Sequence, residues 1–145
     1  MSTPTLEQLL QGSGLADKAQ VIEPNLVRLQ WGSAFVIVGV SGSAIVAIAP
    51  LFREVPSARV PDFYRKLLEH NAYMGGMASF AIQQDGWVIL HAGRALKGID
   101  PQEFASMIAG VGRFADQFDD QLIAEFYVDK PEATNQAEAE MPQTD

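Results

Sequence analysis

The chain has 145 residues, no cysteine and a net charge of −8. One domain of that length buries roughly two thirds of its unfolded surface, so a core needs no staple; the missing cysteines exclude disulfides and thiolate metal sites and fit a reducing, cytoplasmic setting. Five acids and one lysine between Asp129 and Asp145 carry half of the charge, and no stretch clusters Lys and Arg, which argues against a nucleic-acid partner.

The first residues, MSTPTLEQLLQ, have neither a basic n-region nor an apolar h-region, so they do not form a secretory signal. Thr3-Pro4 reads as a helix cap with proline at the first helical position, Leu6, Leu9 and Leu10 form one apolar edge, and Gly12 ends the helix. A helix this short must dock to persist. Lys18 to Glu23 is a weak strand candidate cut off by Pro24-Asn25, and Leu26 to Trp31 is a better one, followed by a turn at Gly32-Ser33. Two β-branched runs, Ala34 to Val40 and Ala44 to Ala49, then flank Ser41-Gly42.

Between Arg28 and Arg53 lie 24 uncharged residues, enough to span a bilayer. Ser41-Gly42-Ser43 at the centre, Pro50 near the end and the wealth of Val and Ile favour a buried hairpin, so no membrane insertion is expected. With Ser41-Gly42 as a two-residue loop, Val38 opposes Ile45 and Ile37 opposes Val46. One face then carries Val36, Val38, Val40 and Ile45, the other Phe35, Ile37, Val46 and Ile48. A sheet that met water on one side would alternate apolar with polar, so these strands are covered on both sides or one side binds a partner.

Leu51 to Arg59 reads as a loop. A helix opens near Pro61 with Asp62 in its first turn, and Val60, Phe63, Tyr64, Leu67 and Leu68 give it an apolar stripe that stops at Gly75-Gly76. Met77 to Gln83 and Trp87 to Ala92 form a hairpin on Asp85-Gly86, read as a type I′ turn. That register places Ile82 opposite Ile89 and Phe80 opposite His91, with Trp87 on the same face. The last helix has Asp100 as cap, Pro101 first and Glu103 third, a capping box. Phe104, Met107, Ile108, Val111, Phe114, Phe118 and Leu122 form its stripe, and Asp116, Asp119, Asp120 and Glu125 fall largely on the far side. Gly110 and Gly112 either weaken this helix or allow close packing. After Tyr127 the apolar pattern stops. The organisation expected is one α+β domain, residues 1–128, and a disordered acidic tail, residues 129–145.

No catalytic, cofactor or metal constellation emerges. Gly39-Val40-Ser41-Gly42-Ser43 lacks the second glycine of a hydrolase elbow and lies between strands, where a hairpin turn is the simpler reading. No glycine run has the spacing of a phosphate loop, and Gly75-Gly76 follows a helix rather than a strand. His70 falls near a helix C-terminus, where its charged form would meet the dipole favourably, and His91 lies in a strand; the pair lacks a third ligand for a metal. Asp116, Asp119 and Asp120 lack calcium-loop spacing and read as a solvated helix face.

Three stretches carry a resemblance: Leu67-Leu68-Glu69-His70-Asn71-Ala72, the hairpin through Asp85-Gly86-Trp87-Val88-Ile89-Leu90, and Ala95-Leu96-Lys97-Gly98-Ile99-Asp100-Pro101. In this order the chain resembles the type III secretion chaperone-like superfamily, the Tir-chaperone class and the YbjN-like proteins. There a Leu-Leu-x-x-Asn helix end precedes a hairpin and a Leu-x-Gly-Leu-Asp-Pro link precedes the last helix; here Ile99 replaces the leucine of that link. The pattern itself gives the order α-β-β-β-α-β-β-α with about five strands; the resemblance implies an antiparallel sheet backed by helices, a homodimer and no enzyme activity, and no cofactor is expected. In the secretion branch a client segment lies on apolar patches of the sheet and first helix; the YbjN-like branch points instead to a regulatory dimer that binds a folded partner. Added to the two-faced strands, this makes Phe35, Ile37, Val46, Ile48, Phe80, Ile82 and Trp87 the expected partner or dimer surface.

Overall fold

A computed structural model describes residues 3–127. The tail expected to be disordered lies outside the described residues. The elements run α1 (Leu6–Ser13), a 3-10 turn (Ala16–Lys18), β1 (Ala19–Glu23), β2 (Leu26–Trp31), β3 (Ala34–Ser41), β4 (Ala44–Phe52), α2 (Val60–Met74), β5 (Ser79–Ile82), β6 (Val88–Ala95) and α3 (Pro101–Phe126). The six strands form one antiparallel sheet in the order β1-β2-β3-β4-β6-β5. This is the α+β fold that the pattern predicts, with one strand more than expected. The weak candidate before Pro24 is a full strand, mostly exposed at the sheet edge, where few apolar residues announce it.

Two starts differ from the expectation. Thr5, not Thr3, caps α1: its Oγ1 accepts the Gln8 N–H at 3.1 Å, and its own N–H donates to Gln8 Oε1 at 2.9 Å, a reciprocal capping box. The helix ends two residues later than predicted, capped at Gly14 with φ 78° rather than at Gly12. At α3, Asp100 does accept the Glu103 N–H at 2.8 Å, but Glu103 does not reach back. Its carboxylate instead meets Arg94 of β6 at 2.7 Å, tying the helix start to the sheet.

Register decides which side chains reach the core, because a slip of one residue exchanges the faces of a strand. Between β3 and β4 the loop is Gly42-Ser43, with Val40 opposite Ile45 and Ile37 opposite Ile48. Gly42 has φ 59° and takes the first loop position, where a type II′ turn places glycine. The shift from the expected pairing is two residues, so the predicted faces survive. The β5–β6 hairpin does not preserve them. Gly86 N–H donates to Gln83 O and Gln83 N–H to Trp87 O, which makes Gln84-Asp85-Gly86 a three-residue loop with only Gly86 at positive φ. Asp85 Oδ1 accepts the Trp87 N–H at 3.1 Å and stabilises it. A two-residue type I′ turn would need positive φ at Asp85 as well. The extra residue moves the register by one: Phe80 opposes Leu90 and Ile82 opposes Val88, while Ala81 opposes Ile89. Phe80 and Ile82 therefore leave the face of Trp87 and Ile89.

The core lies on one side of the sheet. Val27, Leu29, Val36, Val38, Ile45, Ala47, Leu90 and Ala92 face Leu6 and Leu9 of α1 and Phe104, Met107, Ile108, Val111 and Phe118 of α3. Strand β4 continues through Leu51 and Phe52, buried residues that pattern reading assigns to a loop; Pro50 pairs with Ile89, and the register shifts between Pro50 and Phe52, a bulge that accommodates the proline. Arg59 holds φ 57° at the start of α2, while its guanidinium meets Asp62 and Glu125 and stacks 5.0 Å from the Phe126 ring centroid. These contacts fix the α2 start against the α3 end.

Candidate protein-binding surface

The seven residues expected to form a partner surface divide between the two faces. Phe35, Ile37, Val46, Ile48 and Trp87 share the face away from the helices. Phe80 is in the helix-side core, and Ile82 follows it on that side at the sheet edge. The helix-free face is also more closed than expected. Phe35 is 3% exposed and carries the Arg28 guanidinium 4.2 Å from its ring centroid, and Trp87, 8% exposed, packs with Ile89, Ile48 and Ala81. The apolar side chains there shield one another, leaving Val46 and Ile48 partly open beside a cavity of about 420 Å³ bounded by Leu26, Ile37, Gly39 and Glu23.

The larger exposed apolar residues lie elsewhere. Tyr64 and Leu68 of α2 adjoin Ile82, and Leu68 is 68% exposed; Tyr73, 70% exposed, lies on the side of α2 toward α3, edge-on to Phe114 and Phe118. Leu68, Tyr64, Phe80 and Ile82 bound a groove of about 310 Å³ along the α2–β5 seam. The sequence reading gave Val60, Phe63, Tyr64, Leu67 and Leu68 to one apolar stripe and placed none of them on the expected surface. Only Phe63 and Leu67 of those five are buried. A stripe too wide for the area it covers was the available signal. A second exposed pair, Val21 and Ile22 of β1, lies at the opposite sheet edge, beside a groove of about 370 Å³ that Leu6 and Leu10 of α1 also line.

The acidic residues of α3 are not a uniformly solvated face. Asp119 is only 1% exposed. Ser33, in the β2–β3 turn, donates its hydroxyl to Asp116 Oδ1 at 2.6 Å and lies 3.0 Å from Asp119 Oδ2, and its N–H donates to Asp116 at 3.1 Å. The Asp120 N–H donates to the other Asp119 oxygen at 2.6 Å. One hydroxyl proton thus stands between two carboxyl groups. Burial pushes the Asp119 carboxyl above its ordinary range, against the hydrogen bonds from Ser33 and Asp120; the Ser33 bonds pull Asp116 below it. The trio pins the β2–β3 turn to α3.

His70 also departs from expectation. Its ring stacks on Phe118 with centroids 4.1 Å apart. Burial, then the Lys66 charge, lowers its pKa despite the opposing pull of Glu69 and Glu125, so the neutral ring is favoured where the helix dipole alone argues for the cation. His91 lies in β6 opposite Ile48 and Ser79. Among the described residues no group of three His, Asp or Glu side chains is placed to hold a metal, and no helix is long and apolar enough to cross a membrane.

Comparison with known proteins gives one family model, described as the Tir chaperone protein (CesT) family, over residues 5–117. No curated protein matches significantly. Among solved structures the chain is similar to one in the ExsC–ExsE complex, with 12% identity, 82% of this chain and 96% of that one covered, and a TM-score of 0.58. It is also similar to one in the Yersinia pestis type III secretion chaperone SycH complex with a fragment of YscM2, at 17% identity, 77% and 94% coverage and a TM-score of 0.52. YbjN from E. coli gives 14% identity, 83% and 96% coverage and a TM-score of 0.60. At such identities the structural likeness concerns the fold.

Proposed function

The chain belongs to the Tir chaperone protein (CesT) family, and from that premise we propose that it is a non-enzymatic, cytoplasmic polypeptide-binding protein that works as a homodimer and holds a segment of a protein partner on apolar surface. The observation that carries this reading is the placement of exposed apolar side chains in two separate strips, on α2–β5 and on β1, at opposite ends of the sheet. An enzyme would need convergent polar groups in a cleft, and the α2–β5 groove is lined mainly by apolar side chains, with the Asn71 amide and the Tyr64 hydroxyl as its polar groups.

The α2–β5 strip suits a second copy. Tyr64 and Leu68 are one helical turn apart, so two α2 helices can pack their exposed rows on each other about a two-fold axis. The α1–β1 strip suits a client segment, because the groove against Leu6 and Leu10 is apolar where Val21 sits and has Glu7 and Pro24 at its rim. The open-face residues Val46 and Ile48 extend the partner surface, with the more closed Phe35, Ile37 and Trp87 beside them on the same face. Leu68→Asp tests the arrangement by light scattering and capture of native partners: a dimeric wild type should become a monomer that still holds its partner. A wild-type monomer that retains no protein would sink the proposal.

The self-packed face at Phe35 and Trp87 favours a second reading, a YbjN-like regulatory dimer whose partner is folded, since an unfolded client gains most from a broad, open apolar face. Hydrogen exchange on the captured partner separates the two: a folded partner keeps its own protection pattern away from the contact.

A further inference from the structure

Asn71, in the last turn of α2, does something its position in a helix does not require. Its side-chain Oδ1 accepts the Phe80 N–H at 2.6 Å, and its Nδ2 donates to Phe80 O at 3.4 Å. Strand β5 is the outermost in the order, so β6 pairs only one of its edges. In an antiparallel pair alternate residues turn both backbone groups toward the partner strand or away from it. The Gln83 N–H donates to Trp87 O, which turns Gln83, Ala81 and Ser79 toward β6. Phe80 and Ile82 are left turned outward. The amide of Asn71 therefore offers the outer edge one acceptor and one donor, the two groups that a residue of a neighbouring strand would offer.

We infer that Asn71 is a side-chain substitute for a seventh strand, and that it closes the β5 edge against antiparallel pairing with β5 of a second copy of this chain. The edge needs such a device. Ser79-Phe80-Ala81-Ile82 holds no charge and no proline, the usual guards of an exposed edge. At the other end of the sheet, β1 has Glu23, the following Pro24 and a register irregularity between Val21 and Glu23. A self-complementary β5–β5′ pair is the contact an apolar four-residue edge favours, because the two-fold operation matches the segment to itself. The α2 position is what makes the substitution possible: helix and strand run side by side along the apolar groove that Leu67 and Leu68 flank. The inference is independent of the proposed function, which places a second copy on side chains of the seam and not on backbone.

Asn71→Ala is the test, with Val111→Ala in the α3 core as a control for lost stability. Mass by light scattering over a concentration series, infrared detection of intermolecular sheet and hydrogen exchange at the Phe80 amide are the readouts. In Asn71→Ala the Phe80 amide should exchange about fivefold to tenfold faster, the scale of one lost hydrogen bond, and a species of twice the wild-type mass with new intermolecular sheet should grow with concentration. Adding Ile82→Lys, which charges the remaining outward position, should restore the wild-type mass. If Asn71→Ala does not fold, Asn71→Ser, too short to span both groups, takes its place. Wild-type mass at every concentration, or the same new species in Val111→Ala, would overturn the inference. A monomeric wild type would refute the proposed dimer and leave this comparison intact.

Discussion

Two glycines of α3 separate helix propensity from packing. A Cβ added at Gly110 would meet Met77 Cε at 3.8 Å, an ordinary contact. A Cβ added at Gly112 would overlap the Trp31 indole, with Cδ2 and Cδ1 at 2.7 and 2.8 Å. Each Gly→Ala change gains roughly 1 kcal/mol of helix propensity. Gly110→Ala should keep that gain. At Gly112 the gain meets an overpacking cost of about 1–3 kcal/mol, because a flat ring cannot fold aside as a flexible chain end can. The propensity cancels between the two variants, so the overpacking cost is the difference. With roughly 3 °C per kcal/mol at this chain length, thermal unfolding by circular dichroism should place Gly112→Ala about 3–9 °C below Gly110→Ala. In a Trp87→Phe background, Trp31 fluorescence should shift in Gly112→Ala alone. Equal melting temperatures, or Trp31 emission that ignores the change, would refute the reasoning.

Asp119→Asn should raise the melting temperature at neutral pH by roughly 2–4 °C, the response to about 1 kcal/mol in a chain of this length, since the amide can still receive the Asp120 N–H and meet Ser33 without a buried charge. The sign follows from the raised pKa: above the unfolded value the native state holds the extra proton, so stability falls as pH rises through the window up to the native value, and Asp119→Asn should lose that slope in a pH series of melts. His70 acts in the opposite sense. Its native pKa is lowered, so the unfolded state binds more protons below pH 6.5 and stability is lost as pH falls from 6.5 toward the native value; His70→Phe, which keeps the ring on Phe118, should flatten that limb. Thr5→Ala removes the α1 capping box and should cost about 1 kcal/mol in denaturant titrations.

The α3 stripe, the Asp100 cap and the β3–β4 faces were legible because each follows from local chemistry: a 3.6 period, a side chain that accepts its own helix's N–H, and a two-residue side-chain period. The β5–β6 faces were not, because Asp-Gly serves both a two-residue type I′ turn and the end of a three-residue loop, and that one residue decides the side to which Phe80 points. The same slip put Phe80 among the expected surface residues. Asp119 was read as solvated since its partner, Ser33, is 86 residues away, and nothing in the α3 sequence announces that contact.

The Leu-Leu-x-x-Asn helix end shows how a resemblance and a physical reading complement each other. As a pattern it pointed to a fold. In the structure its first leucine is core, its second is exposed on the seam, and its asparagine holds Phe80 of the neighbouring strand. Five residues thus place a helix against the sheet, leave apolar side chains exposed on the seam, and satisfy the backbone of an edge strand. If the α2–β5 seam binds a second copy through side chains, as proposed, it has to refuse binding by backbone, and the geometry of Asn71 gives that refusal a single residue.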